Sequence, residues 1–307
     1  MGWQAKCMWR SMSRAVPMPV AEPSALATGT DSQEHLRIES LPTVVLRGAT
    51  LHAISENQCI GLMLEGLEQR RGGSVVTMNL DHLRRFVNET GYAAQCRNAS
   101  IVTADGMPLI WASRLQRTPL PERVTGSSMI WSLTAAAAKR EKSIFLIGGE
   151  PGAAQQTAET LSIRYPGIRI AGVFSEVIDL KQGGEALKRL AQQLASTAPD
   201  IVYVGLGSPK QEEVIDRLRD TLPHAWFMGV GIAFSFVAGK IRRAPLWMQR
   251  SGLEWLHRLL QEPARLGRRY LAAGLPFAAT LLYSSALLGF RKAELRDPQP
   301  ADDLSCL

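Results

Sequence analysis

The sequence predicts an α/β fold: a Rossmann-like, mostly parallel sheet with helices on both faces, followed by a helical C-terminal appendage. Three observations predict it. Across residues 43–237, short apolar, β-rich runs alternate with stretches of helical length, the pattern of strands buried on both faces. Glycine-rich corners follow several of those runs, at Gly148-Gly149-Glu150-Pro151-Gly152, Gly205-Leu206-Gly207-Ser208-Pro209 and Gly229-Val230-Gly231. Beyond residue 238 the rhythm stops, and an arginine-rich helical pattern leads into an apolar one.

Taken in order, residues 1–42 are rich in Ser, Pro, Ala and Met without periodicity and read as a disordered leader. Residues 43–238 form the α/β domain, with strands expected at 44–47, 74–79, 100–104, 143–147, 168–173, 201–205 and 225–230. Helices are expected at 57–70, 80–90, 127–140, 153–164, 184–197 and 211–221, with another beginning near Met107.

Residues 239–270 form a basic appendage. Ser251-Gly252-Leu253-Glu254 has the form of a capping box, which places a helix start at Gly252, with Leu253, Leu256, Leu259 and Leu260 at helical spacing. Pro263 ends or kinks that helix and can start the next, which carries Arg265, Arg268 and Arg269. Residues 271–290 contain no charged side chain and have the length of a membrane span. Gly274 and Pro276 interrupt them and arginines flank them, so a segment docking on or re-entering the bilayer is preferred to a true span. A helix buried in an oligomer is the alternative. Residues 291–307 form a polar tail.

The net charge of +7 is unevenly placed: residues 240–269 hold eight Lys or Arg against two Glu. A local basic patch with Trp247 and Trp255 points to anionic phosphates at a membrane rather than to general solubility or to nucleic acid. The four cysteines, Cys7, Cys59, Cys96 and Cys306, form no C-x-x-C pair and have no His at metal spacing, which favours a reducing cytosolic setting. The N-terminus has Lys6 and Arg10 but no apolar run of secretory length, so no signal peptide is expected.

Glycine corners at the carboxyl ends of parallel strands let a backbone approach a ligand, and the helix N-termini that follow attract phosphate. Each corner read singly is plain turn chemistry; their recurrence in one sheet favours a nucleotide or nucleotide-sugar site. None completes G-x-G-x-x-G, and no P-loop lysine pattern is present. Asp105 ends a strand-like run ahead of Gly106, where it serves equally well as a general base over the crevice or as a cap for the next helix. Thr77 and Asn79 end the preceding strand and suit sugar hydroxyls, although Asn79 also suits a helix cap. Lys210 and Gln211 open the helix after the Gly205–Gly207 corner. His82 and His224 have no partners at ligand spacing and read as structural. The sequence has no D-x-D, the usual metal-diphosphate signature, so cationic side chains would have to hold a diphosphate here.

Together these segments resemble the WecG/TagA/CpsF family of bacterial glycosyltransferases, glycosyltransferase family 26. The resemblance lies in VVTMNLDHL at 75–83, ADGMPLIWASR at 104–114, PERVTGS at 121–127 and FLIGGEPG at 145–152. It continues through YPGIRIAG at 165–172, VGLGSPKQE at 204–212 and the stretch from Gly229 to Arg269. The order PKQE, AGK-x-x-RAP, LEWL-x-RL-x-x-EP-x-R is its most specific part.

The resemblance implies transfer of a sugar, with inversion, from a UDP-sugar (N-acetylmannosamine, its uronic acid, or glucose type) to a polyprenyl-diphosphate-linked saccharide. The setting would be the inner face of the cytoplasmic membrane, in surface-polysaccharide or wall-polymer assembly, without a cofactor or metal. By position it implies that Asp105 is the general base. Thr77, Asn79, Arg123 and Gln211 would line the sugar-diphosphate pocket, and the glycine corners add Gly148, Gly149, Gly207 and Lys210 as candidate substrate-binding residues. Arg258, Arg265 and Arg268 would neutralise the leaving diphosphate; lipid-headgroup contact alone is the other reading of those three. One departure stands out: the family's usual Asp after G-x-x-F is Ser235 here. A nucleotide-binding oxidoreductase and a non-catalytic membrane adaptor are the competing readings. The donor sugar, the acceptor saccharide and whether the chain forms a homo-oligomer are left open by the sequence.

Overall fold

A computed structural model describes residues 37–180 and 184–294. The chain opens with a hairpin, β1 (Thr43–Leu46) and β2 (Ala49–His52), then α1 (Glu56–Glu68), β3 (Gly73–Met78), α2 (Leu80–Asn88), α3 (Thr90–Arg97), β4 (Ile101–Ala104), α4 (Met107–Leu115) and α5 (Gly126–Lys139). It continues with β5 (Ser143–Gly148), α6 (Ala153–Arg164), β6 (Arg169–Phe174), α7 (Glu185–Thr197), β7 (Ile201–Gly205), α8 (Lys210–Leu218) and β8 (Trp226–Gly229). The C-terminal part is helical: α9 (Ala233–Val237), α10 (Leu246–Ser251), α11 (Glu254–Gln261), α12 (Pro263–Gly267) and α13 (Leu275–Glu294).

Six strands form one wholly parallel sheet in the order β4-β3-β8-β7-β5-β6. Parallel strands need crossovers, and the helices that make them cover both faces. The side chains of β5 and β7 are accordingly buried along their whole length. One face packs on α1, α5, α6 and α9 through residues such as Met63, Ile130, Leu161 and Phe234. Opposite, α7 and α8 contribute Leu190, Leu194, Val214 and Ile215. A third cluster joins the β1–β2 hairpin, α2, α3 and α4 to Leu281 of α13.

Several expectations change. The stretch 44–47 is a strand, but it pairs antiparallel with β2 in a separate two-stranded sheet; β2 alternates buried and exposed residues over only four positions, too short to stand out. Helix α3 was also not anticipated. Of the expected leader, residues 1–36 lie outside the described residues, as do Cys7, Cys306 and residues 295–307 of the tail. Residues Ile38–Ser40 make a 3-10 turn, and Leu41 is buried in the core.

The capping-box reading is overturned. Ser251 is the last residue of α10, its hydroxyl donates back to Met248 O, and Gly252 takes the left-handed conformation that ends a helix. Its φ of +79° suits glycine, and Met107 lies 2.7 Å from where a Cβ would sit. Gly274 and Pro276 do not break the C-terminal helix either. Residues Arg268–Gly274 widen into a π-helical turn, in which Leu275 N–H bonds to Tyr270 O, and α13 follows directly. Pro276 is the second residue of α13, directly after that widened turn, where the regular i−4 ladder is already interrupted.

Candidate active site

The carboxyl ends of β3, β4, β5, β7 and β8 share one edge of the sheet, and the sequence-predicted residues gather there. Asp105 follows β4, its backbone tied to Met78 O at 2.7 Å. It does not cap α4: Gly106 occupies the N-cap position and no side chain caps that helix. The carboxylate instead accepts from the backbone N–H of Gly126, at the start of α5. Burial pushes its pKa up to about 6, opposed by the positive charges of Arg123 and Arg243 and reinforced by Glu254.

Asn79 is the N-cap of α2, its Oδ1 accepting from Asp81 N–H at 3.0 Å and His82 N–H at 3.1 Å. That cap fixes the amide beside Gly106 and leaves its NH2 outward from the capping bonds. Buried Thr77 places Oγ1 3.5 Å from the Cβ position of Gly126, which in turn meets Gly229 O and Val230 Cα at 3.2 Å. Close approach of three chain segments favours glycine at 126, since a Cβ there would require its neighbours to give by a few tenths of an ångström. On the far side, a Cβ on Gly229 would lie 2.6 Å from Gln211 Nε2. Gln211 is buried on α8, with Oε1 accepting from Gly231 N–H at 3.0 Å and Nε2 donating to Glu212 at 2.8 Å. The Gly148-Gly149 corner joins the same cluster through Gly149 N–H to Gly205 O at 2.8 Å. Gly207, with φ of +72°, has open space at its Cβ position, and Lys210 begins α8 beside it.

The appendage meets this cluster through residues that sequence reasoning missed. Glu254 on α11 accepts from Arg123 Nη1 at 2.9 Å and from Arg243 Nε at 3.2 Å. Burial works against the Glu254 charge, but Arg243 and Arg123 more than offset it and hold the carboxyl below its ordinary range. Arg243 also donates to Ser128 Oγ at 3.1 Å on α5. A second tie runs from Arg269 to buried Asp81 at 2.7 Å, where Arg84 and Arg85 converge on the same carboxylate. Burial disfavours that carboxylate too, and the three arginines outweigh it.

The three appendage arginines implied by the resemblance are not equivalent. Arg258 is half-buried, and its Nε has no hydrogen-bond partner among the described residues. Arg265 is 59% exposed and pairs with Glu262 at 2.8 Å, and Arg268 is exposed. The structure does not bring the last two into the cluster. His82 bonds Thr77 O through Nδ1, and His224 bonds Arg70 O. Cys59 and Cys96 are free and buried, and Ser235 is buried in α9. No three His, Cys, Asp or Glu among the described residues gather as metal ligands.

A model of the glycosyl transferase WecG/TagA/CpsF family matches residues 44–289. The chain belongs to that family. Two similar proteins are each named N-acetylglucosaminyldiphosphoundecaprenol N-acetyl-beta-D-mannosaminyltransferase. One, from Bacillus spizizenii, is 32% identical over 202 residues, 66% of this chain and 76% of its own length. The other, from Bacillus subtilis, is 31% identical over 202 residues, 66% of this chain and 77% of its own. Membership makes this chain a glycosyltransferase of the hexosyl-transferring kind.

Proposed function

We propose that this protein transfers an N-acetylmannosamine-type sugar from its UDP-linked form to a polyprenyl-diphosphate-linked saccharide, with inversion, at the inner face of a bacterial membrane. The sugar moved and the acceptor class follow the names of the two Bacillus relatives, and the UDP carrier follows the sequence resemblance. The observation that carries the mechanism is Asp105: a carboxylate at a strand end that does not cap α4, with a pKa of about 6. Such a base is ionised at neutral pH yet basic enough to take a proton in the transition state.

In the reaction, the acceptor hydroxyl oxygen attacks the anomeric carbon while its proton passes to Asp105. The bond from that carbon to the diphosphate oxygen breaks, and UDP leaves with the bonding pair. Charge growing on the diphosphate is met by guanidinium groups, with Arg123 beside Asp105 and Arg258 one helical turn after Glu254 as the candidates, and by the N-terminal turn of α8.

Membrane attachment is supported by α13. Residues Pro263–Ala293 make one helix long and apolar enough to cross a bilayer, by length and composition, and about a tenth of its most apolar window is buried. Leu281, Ser285 and Gly289 form a buried stripe at four-residue spacing, and Gly289 lies directly over the Leu115 carbonyl of α4. Because α13 is packed along that stripe, it reads as a helix lying on the bilayer. Leu275, Tyr283, Leu287, Leu288 and Phe290 remain exposed for the apolar phase, with Arg265 and Arg268 near the headgroups.

The direct test supplies UDP-N-acetylmannosamine and a short-chain polyprenyl-diphosphate N-acetylglucosamine, and follows UDP release and the glycolipid product. A β-linked disaccharide lipid is expected. Transfer only from the uronic acid or glucose donor would move the donor assignment, and no transfer to any lipid-linked acceptor would overturn the reading.

A further inference from the structure

Away from the crevice, beneath α8, a cavity of about 10 Å³ lies between β3, α3 and α8. Gln95, Glu212 and Arg219 are among the residues that line it. Each presents a buried polar atom without a hydrogen-bond partner among the described residues: Gln95 Oε1, Glu212 Oε2 and Arg219 Nε. The nearest carboxylate to that Nε, Asp220, is 3.6 Å away, beyond hydrogen-bond reach. Glu212 is only 4% exposed, so solvent at the surface does not satisfy its second oxygen. The cavity has the room of a single water molecule. Two orphaned acceptors and one orphaned donor are the complement of a water's two hydrogens and a lone pair.

We propose that one buried water bridges these three atoms and makes Glu212 a positioning residue for Gln211. The water donates to Gln95 Oε1 and Glu212 Oε2 and accepts from Arg219 Nε–H. Glu212 is then held at both oxygens, because its Oε1 accepts from Gln211 Nε2 at 2.8 Å. With Gly231 N–H on Gln211 Oε1 at 3.0 Å, the Gln211 amide has one orientation. Turning it over would set NH2 against an N–H and a carbonyl oxygen against a carboxylate. Gln211 therefore offers its remaining amide hydrogen to the crevice, and the group it meets must be a hydrogen-bond acceptor, such as a phosphate oxygen or an acetamido carbonyl. This last step rests on the donor-site reading of Gln211; the water itself does not.

The test is a high-resolution crystal structure of the full chain, paired with donor kinetics of Glu212→Gln and Gln95→Leu. Density for one water within hydrogen-bond distance of all three atoms is expected. A dry cavity, or one in which the three atoms find protein partners, overturns the proposal whatever the enzyme's substrate. Glu212→Gln lets the Gln211 amide turn over, so the donor KM should rise ~10-fold, the scale of one oriented hydrogen bond, with kcat changing much less. Gln95→Leu removes one of the water's two acceptors from the cavity and should raise the donor KM in the same sense. If the water is present but both variants keep the wild-type KM, the positioning role falls.

Discussion

Arg123 and Glu254 meet at 2.9 Å across 131 residues of sequence, joining the α/β domain to the appendage beside Asp105. Glu254 also takes Arg243, so one carboxylate serves two guanidinium groups that are each about one-fifth exposed. Removing it leaves two half-buried cations facing each other, a loss on the order of 1–3 kcal/mol once partial solvent screening is allowed for. Glu254→Gln should loosen α11, read as faster amide hydrogen exchange across residues 253–261. It also removes a charge that raises the Asp105 pKa, so the acid limb of the kcat/KM profile should move to lower pH. An unmoved limb would show that Glu254 is too far from the base to matter.

Asp105→Asn should lower turnover by ~10²-fold or more, the usual scale for losing a general base. In the wild type, kcat/KM should fall about tenfold per pH unit below about 6, where the carboxyl takes up its proton. Stability runs the other way. The folded pKa is raised above the ordinary 3.8, so folding is favoured by protonation and weakens as pH rises from about 4 to 6. Above that range the full penalty, on the order of 1–3 kcal/mol, is present. Asp105→Asn should therefore melt higher than wild type at pH 8 and equally at pH 4. A variant that melts lower at pH 8 would contradict the burial that sets this pKa.

The sheet was legible because both-face burial writes each main strand as an apolar run, and its crossover helices carry their own period. The hairpin partner β2 was not, since four residues with one exposed face carry little pattern. The positions of Asp105 and Gln211, after β4 and β7, were legible; for Asp105 the place alone did not separate a base from a helix cap, and the structure removes the cap on α4. Glu254 was hidden by a local rule: Ser251-Gly252-Leu253-Glu254 satisfies a capping box, and only the fold shows that Gly252 ends one helix while Glu254 turns to Arg123. Asp81 and Arg269 were likewise invisible, because an ion pair spanning 188 positions leaves no mark in sequence spacing.

The two faces of α13 should separate by mutation. Gly289→Val places a side chain where the Leu115 carbonyl sits, about 1.9 Å from the Cβ position, and should detach the helix from α4 and lower the melting temperature. Leu287→Glu with Phe290→Glu changes only exposed positions. That pair should leave melting unchanged and abolish flotation with anionic vesicles. Vesicle binding that survives the pair would place the membrane contact elsewhere.

Activity should persist in EDTA, because the positive charge expected at the diphosphate comes from arginines that cannot be chelated. Loss of turnover in EDTA with recovery on adding Mg²⁺ or Mn²⁺ would transfer that role to a metal ion.

Among the appendage arginines, Arg258 should dominate. It lies four residues after Glu254 on α11, so the two share a helix face, and that face is the one Glu254 fastens to Arg123. Its Nε is buried without a partner among the described residues, a cost that an incoming phosphate oxygen would relieve. Arg265 already has Glu262 and stands in solvent. Arg258→Ala should cut kcat by at least ~10-fold on a soluble acceptor, as expected for a cation acting on leaving-group charge. Arg265→Ala should cost less than about threefold in the same assay, since an exposed pair contributes under about 1 kcal/mol. Equal losses at the two positions would mean that the appendage turns relative to this arrangement when substrate binds.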